Sequence, residues 1–223
     1  SFGIKAIFIG MVVSNSSILI GSIICVKKLF LIKINKKVIS TSFKYSIPLM
    51  PGKYFMWFNG QLNRILLLYL LGLSSVGLFA IGSRISSMMQ FFLNIFQKAW
   101  NPFSVEIINS KGSDFIFKKS LTYYFGITLI GGVLLSAASP TLLKYLTTEN
   151  FYSAHTIVPW LVGSFIISGS SRILNIGTVI KEKMIYNSLA EVITFVVNIL
   201  LTYFLLNFYG FKFATIGMFF SQL

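Results

Sequence analysis

Six long apolar runs separated by short loops constrain this chain more than any other feature. They cover roughly residues 6–26, 45–71, 76–99, 121–146, 156–180 and 185–208, and a further run starts near 211. A helix needs ~20 mainly apolar residues to cross ~30 Å of hydrocarbon, and each of the six is long enough. Backbone polar groups in lipid must be satisfied within the segment, so the runs are predicted to be helices rather than open strands. Composition agrees: of 223 residues 55% are hydrophobic and only 11% charged, too few to coat a water-soluble surface. The expected fold is all-α, a polytopic transmembrane helix bundle with six complete spans and a truncated seventh. The sequence opens on Ser1 and the last run is cut at Leu223, so it reads as an internal part of a longer protein.

The net charge of +14 suggests nucleic acid only until the lysines are placed. They gather in short loops rather than on a soluble segment. The loop after the first run holds Lys27, Lys28, Lys33, Lys36, Lys37 and Lys44. The turn at 72–75 holds none. The next loop has Lys98, Lys111, Lys118 and Lys119 against Glu106 and Asp114, and 147–155 has only Glu149. The turn at 181–183 is basic again, and 207–211 is uncharged. This alternation is what the positive-inside rule requires, with the basic loops cytoplasmic and the first span running inward. The loop 101–119, punctuated by Pro102 and Gly112, is expected to hold a short surface helix around 114–119. Cys25 is the only cysteine, which excludes an internal disulfide, and His155 is the only histidine.

Polar groups inside spans are costly and face the bundle interior or a wet cavity. Three spans carry them at helical spacing, so each set falls on one face. They are Ser83, Ser87, Gln90, Asn94 and Gln97; then Ser164, Ser168, Ser171, Asn175 and Thr178; then Asn187, Glu191, Thr194, Asn198 and Thr202. Each stripe is read either as helix–helix packing or as the wall of a water-filled pathway. The second span is the most polar. It opens with Pro48 and Pro51 and carries Lys53, Asn59, Gln61, Asn63 and Arg64. Lys53 and Arg64 share a face ~16 Å apart, and Lys53 is near enough to the cytoplasmic end to snorkel. With the hairpin tip at Leu73, Arg64 and Arg84 lie at similar depth with no acid in either helix. Two unpaired guanidinium groups suggest an anion site; the alternative is that each pairs with an acid elsewhere or snorkels outward. With Glu182 as the tip of the next inner hairpin, Arg172 and Glu191 match in depth. They form the expected ion pair, either structural or built around a protonatable Glu191 used for coupling.

The stretch 45–103 contains Pro48-Leu49-x-Pro51, Arg64 leading through an apolar run into Leu71–Leu73, Val76–Gly77 with Phe79, and a signature of Gln97, Ala99, Trp100, Pro102 and Phe103. In these motifs the chain resembles the bacterial polysaccharide repeat-unit flippases, the O-antigen and capsule exporters related to multidrug and toxic-compound extrusion proteins. The resemblance implies about twelve helices in two lobes around a central cavity. Residues 1–44 would be the last helix of the first lobe with the cytoplasmic connection, and 45–223 most of the second lobe. It implies a multi-pass protein of the bacterial cytoplasmic membrane. Its partners would be membrane lipids, other glycan-assembly proteins and an oligosaccharide on a polyprenyl pyrophosphate carrier, with no cofactor, metal or nucleic acid. The substrate-binding residues would be Lys53, Gln61, Arg64, Arg84, Gln90 and Asn94. Family members often have Asp before the Arg of the second span, where this chain has Asn63. That removes one local acid and leaves Glu191 as the remaining coupling group.

Two other functions compete. A cation-coupled drug exporter of the same fold would need acids in its cavity, and this sequence offers mainly Glu191. A membrane enzyme of the glycan pathway would want paired acids or an intramembrane His, and His155 falls in an outer loop. No catalytic role is expected.

Overall fold

The computed structural model describes residues 3–26, 36–107, 110, 112–175, 178 and 184–223. Lys27, Lys28, Lys33, Lys111, Lys181 and Lys183, which carried much of the topology argument, lie outside the described residues. The described residues are helical, with no strand among them. The α-helices are α1 (Gly3–Val26), α2 (Lys36–Ser46), α3 (Met50–Leu71), α4 (Leu73–Ile107), α5 (Ser113–Leu146), α6 (Val158–Leu174), α7 (Met184–Tyr209) and α8 (Ala214–Ser221). Short 3-10 turns precede α3, α6 and α8. Five helical stretches are long and apolar enough to cross a membrane: 8–25, 73–107, 113–146, 149–174 and 185–209. The molecule is a helical membrane bundle, as its hydropathy predicts. The sixth expected span, α3, has 22 residues, but its polar side chains keep it out of that apolar set.

The chain divides into two compact units, Ser1–Lys44 and Tyr45–Leu223. In the first, the described side chains of α1 are exposed along 8–25. A helix apolar on all sides suits lipid. The second unit has two apolar cores. One joins α4, α5 and α6 through Ile85, Met89, Leu93, Trp100, Tyr124, Val162 and Ile166. The other joins α3, α4, α6, α7 and α8 through Leu67, Phe79, Leu161, Leu206 and Ala214.

Several expected boundaries move. Residues 36–46 form a helix instead of a loop. The second span does not start at 45; a 3-10 turn with Pro48 in its first positions intervenes, and α3 begins at Met50. Pro51 has no N–H to give the Ile47 carbonyl, and the Met50 N–H takes that acceptor instead. The surface helix expected around 114–119 is continuous with α5, and α4 runs through Pro102 to Ile107. At 35 and 34 residues these helices extend ~50 Å, so their ends pass beyond the hydrocarbon. The break falls at Gly112, whose φ of +88° stands just before α5. Pro140 sits inside α5, and the Ser139 hydroxyl donates to the Ser136 carbonyl at 2.8 Å, the acceptor that Pro140 cannot serve.

Lipid supplies no hydrophobic drive between helices, so close approach and polar bonds decide which faces meet. A Cβ at Gly52 would stand 2.7 Å from the Ser188 Cα, so α3 and α7 touch backbone to backbone there. The Ser188 hydroxyl donates to the Pro48 carbonyl at 2.6 Å across the same contact. Between α3 and α4 the single residue Gly72 makes the turn, at φ +82°, where a side chain is strained. Gly60, also in α3, has open space where a Cβ would stand. Gly52→Val should therefore lower the thermal midpoint of the purified protein by an amount matching about 1–3 kcal/mol of overpacking. Gly60→Val should leave it nearly unchanged, and equal effects at both positions would refute the backbone contact.

Candidate functional site

The first turns of α3 and α7 and the last turns of α4 and α6 lie at one end of the second unit. Between them is a cavity of about 500 Å³. Gly52, Lys53 and Met56 line it from α3, and Gln97, Asn101 and Val105 from α4. Arg172 and Asn175 close it from α6 and beyond, and Asn187, Ser188 and Glu191 from α7. By sequence, the basic connections join these helices at their ends on this side of the unit. Among the described residues the cavity's charged lining is two cations and one carboxylate, surrounded by neutral amides.

Each charge owes its place to a local cause. Lys53 follows Gly52, which is pinned against Ser188, so its side chain leaves the contact and enters the cavity. Glu191 is three residues beyond Ser188 on the same stripe of α7 and is half-buried. Arg172 is in the last turn of α6, and its Nη1 donates to the Gln97 Oε1 at 3.3 Å. Arg172 acts on the Glu191 carboxylate electrostatically, and Lys53 acts more weakly, but neither makes an ion pair with it. The direct partner of Arg172 is thus the neutral Gln97, and the charges share a cavity without closing on each other.

A smaller pocket of about 20 Å³, the size of one water, adjoins through Gln97 and Arg172. Gln90, Asn94, Ser168 and Tyr124 line it. The buried Tyr124 hydroxyl donates to the Ile166 carbonyl at 3.1 Å. Of the expected site residues, the structure thus brings Lys53, Arg172 and Glu191 to one cavity, and Gln90 and Asn94 to the pocket beside it. Gln61, half-buried, lines neither. Arg64 and Arg84 are exposed on α3 and α4 and enter neither. Asn63 is 1% exposed while Arg64 points outward, so an acid at position 63 would face the core and away from that arginine.

The polar stripe of α7 divides by function. Its early members Asn187 and Glu191 face the cavity, and the Thr178 hydroxyl bonds Asn187 Oδ1 at 2.9 Å. Its later members pack helices. Asn198, fully buried, donates its amide to Asn59 of α3, and Thr202 donates to Asn198 Oδ1 at 2.8 Å. Gly217 of α8 lies against the Thr202 backbone. Asn101 and Ser188 were not singled out from sequence as site residues. Asn101 sits between Trp100 and Pro102 of the signature, which was the available signal; Ser188 offered none. Trp100 itself is buried in an aromatic cluster with Phe96, Phe103 and Phe117 and holds α4 to α5.

The fold and the charged cavity define the class: a helical membrane protein with a polar chamber opening among its spans. Residues 1–108 match the family described as polysaccharide biosynthesis protein. That match covers just under half of the chain and overlaps the motifs in 45–103. No match bears on the kinship with extrusion proteins. No curated protein and no solved structure matches the chain.

The Asn59–Asn198 bond is a direct test of the packing half of the stripe. A double-mutant cycle with Asn59→Ala and Asn198→Ala, read by unfolding in detergent, should give a coupling of about 0.6–1.7 kcal/mol. Strictly additive losses would show that the two amides do not meet.

Proposed function

We propose that this chain is part of a transporter that flips polyprenyl-pyrophosphate-linked oligosaccharide repeat units across the bacterial cytoplasmic membrane. It does so by alternating access, for surface polysaccharide synthesis. The observation that carries the reading is the cavity in which Lys53 and Arg172 outnumber Glu191. The family match over residues 1–108 supports it. A pyrophosphate head entering from the basic side meets an Arg whose planar fork suits phosphate, held in place by Gln97. Lys53 adds a mobile ammonium, and Asn101, Asn175 and Asn187 offer neutral contacts to sugar hydroxyls. Arg64 and Arg84, exposed on α3 and α4, are proposed as further anion contacts. The lipid tail stays in the bilayer while the head crosses. Among the described residues the cavity has one carboxylate, the group a cation-coupled exporter would use, and the excess of cations there weighs against a cationic cargo.

In the complete protein, Arg172→Ala and Lys53→Ala should each lower surface polysaccharide about tenfold at unchanged protein level. Lipid-linked repeat units should accumulate on the cytoplasmic face. Normal export by both variants would sink the reading.

Glu191 competes with any anion for the same two cations. Glu191→Gln should therefore bind inorganic pyrophosphate about 10-fold more tightly by calorimetry, as expected for removing one nearby negative charge. Unchanged or weaker binding would mean that the carboxylate does not act on the anion.

A further inference from the structure

The helix α2 was legible in the sequence only as part of a basic connection, yet residues 36–46 form three turns of amphipathic helix. At ~100° per residue, Lys36, Lys37, Ser40, Thr41 and Lys44 fall within an arc of about 140°. Val38, Ile39 and Phe43 fall on the opposite arc, with Ser42 and Ser46 among them. The three apolar residues are 61%, 43% and 57% exposed. The helix contains no acid. At 11 residues it is too short to cross a bilayer.

We propose that α2 lies in the plane of the membrane surface, on the side of the basic loops, and takes anionic phospholipid headgroups. Its apolar arc enters the boundary of the acyl chains, and Lys36 and Lys44 reach the phosphates. Charge complementarity selects this occupant. A lysine arc with no carboxylate matches a surface of negative headgroups, and the apolar arc matches the layer beneath. Each of these alone binds a membrane weakly, and the two together make a stable surface anchor. A free phosphate would satisfy the lysines and leave Val38, Ile39 and Phe43 in water. This inference rests on α2 alone and does not depend on what the protein carries.

The test uses the full chain in phosphatidylcholine vesicles, with and without phosphatidylglycerol, and follows amide hydrogen exchange across 36–46. Adding phosphatidylglycerol should slow exchange there about 30-fold, the gain two surface lysines give. The Lys36→Gln, Lys44→Gln double variant should lose that dependence, with exchange in α4 and α5 unchanged as the check on folding. Val38→Ser with Phe43→Ser should lose protection in both vesicles. Exchange that is equal in the two vesicles would overturn the proposal. So would a lysine double variant that keeps the full phosphatidylglycerol effect, or inorganic phosphate reproducing that effect in neutral vesicles.

Discussion

The contact between α3 and α7 governs the second unit. Two helices in lipid gain nothing from hiding apolar surface from each other, because the lipid is as apolar as they are. They must meet through close packing and polar bonds. Gly52 against Ser188 supplies the first, and Ser188 to Pro48 and Asn198 to Asn59 supply the second. The three links run along the contact in register, so α3 and α7 are held side by side from their first turns to their middles. The residues flanking that line then have no freedom of direction. Lys53 and Glu191 stand on either side of it and open into the same space.

The same contact separates two uses of polar residues that look alike in composition. Asn198 and Thr202 find partners inside the protein and therefore stiffen it. Asn187 and Glu191, about three and two turns before Asn198, line the cavity instead. The division falls between Glu191, which opens into the cavity, and Asn198, which meets Asn59 of α3. Above that level the neighbours are Leu206, Leu161 and Leu67, and an ionised side chain there would be desolvated with no counter-charge. The placement of the charges at one end of the unit follows from where the packing stops.

Hydropathy made the spans legible because a membrane-crossing helix is written in one continuous run. Helix ends were less so. Pro102 reads as a breaker, but near the end of a long helix one missing donor is tolerated, and α4 continues to Ile107. The helix α2 was hidden because its lysines had already been used as loop charges and its apolar residues are too few to register as a run. Among the site residues, Lys53, Arg172 and Glu191 stood out because ionisable groups within apolar runs need a reason. Depth estimates located Arg172 and Glu191 at one level but could not tell that Gln97 would be the arginine's partner. For Arg64 and Arg84, equal depth says nothing about rotation about the helix axis, and both side chains are exposed outside the cavities. Ser188 was invisible because a small hydroxyl residue acquires meaning only when another backbone is pressed against it.

The balance of charge in the cavity carries the last step. Two cations closed on a single carboxylate would leave a locked, nearly neutral cluster with little reason to admit an anion. Two cations with no carboxylate would hold a pyrophosphate too long to release it. Here Arg172 is braced by a neutral amide, and Glu191 is near enough to be felt without forming an ion pair. The positive field is therefore both available and opposed. A carrier needs that intermediate strength, since its cargo must bind from one side and leave from the other without covalent change. The neutral Asn101, Asn175 and Asn187 fit the same requirement, because amides can hydrogen-bond a hydroxyl-rich cargo without charge-assisted strength.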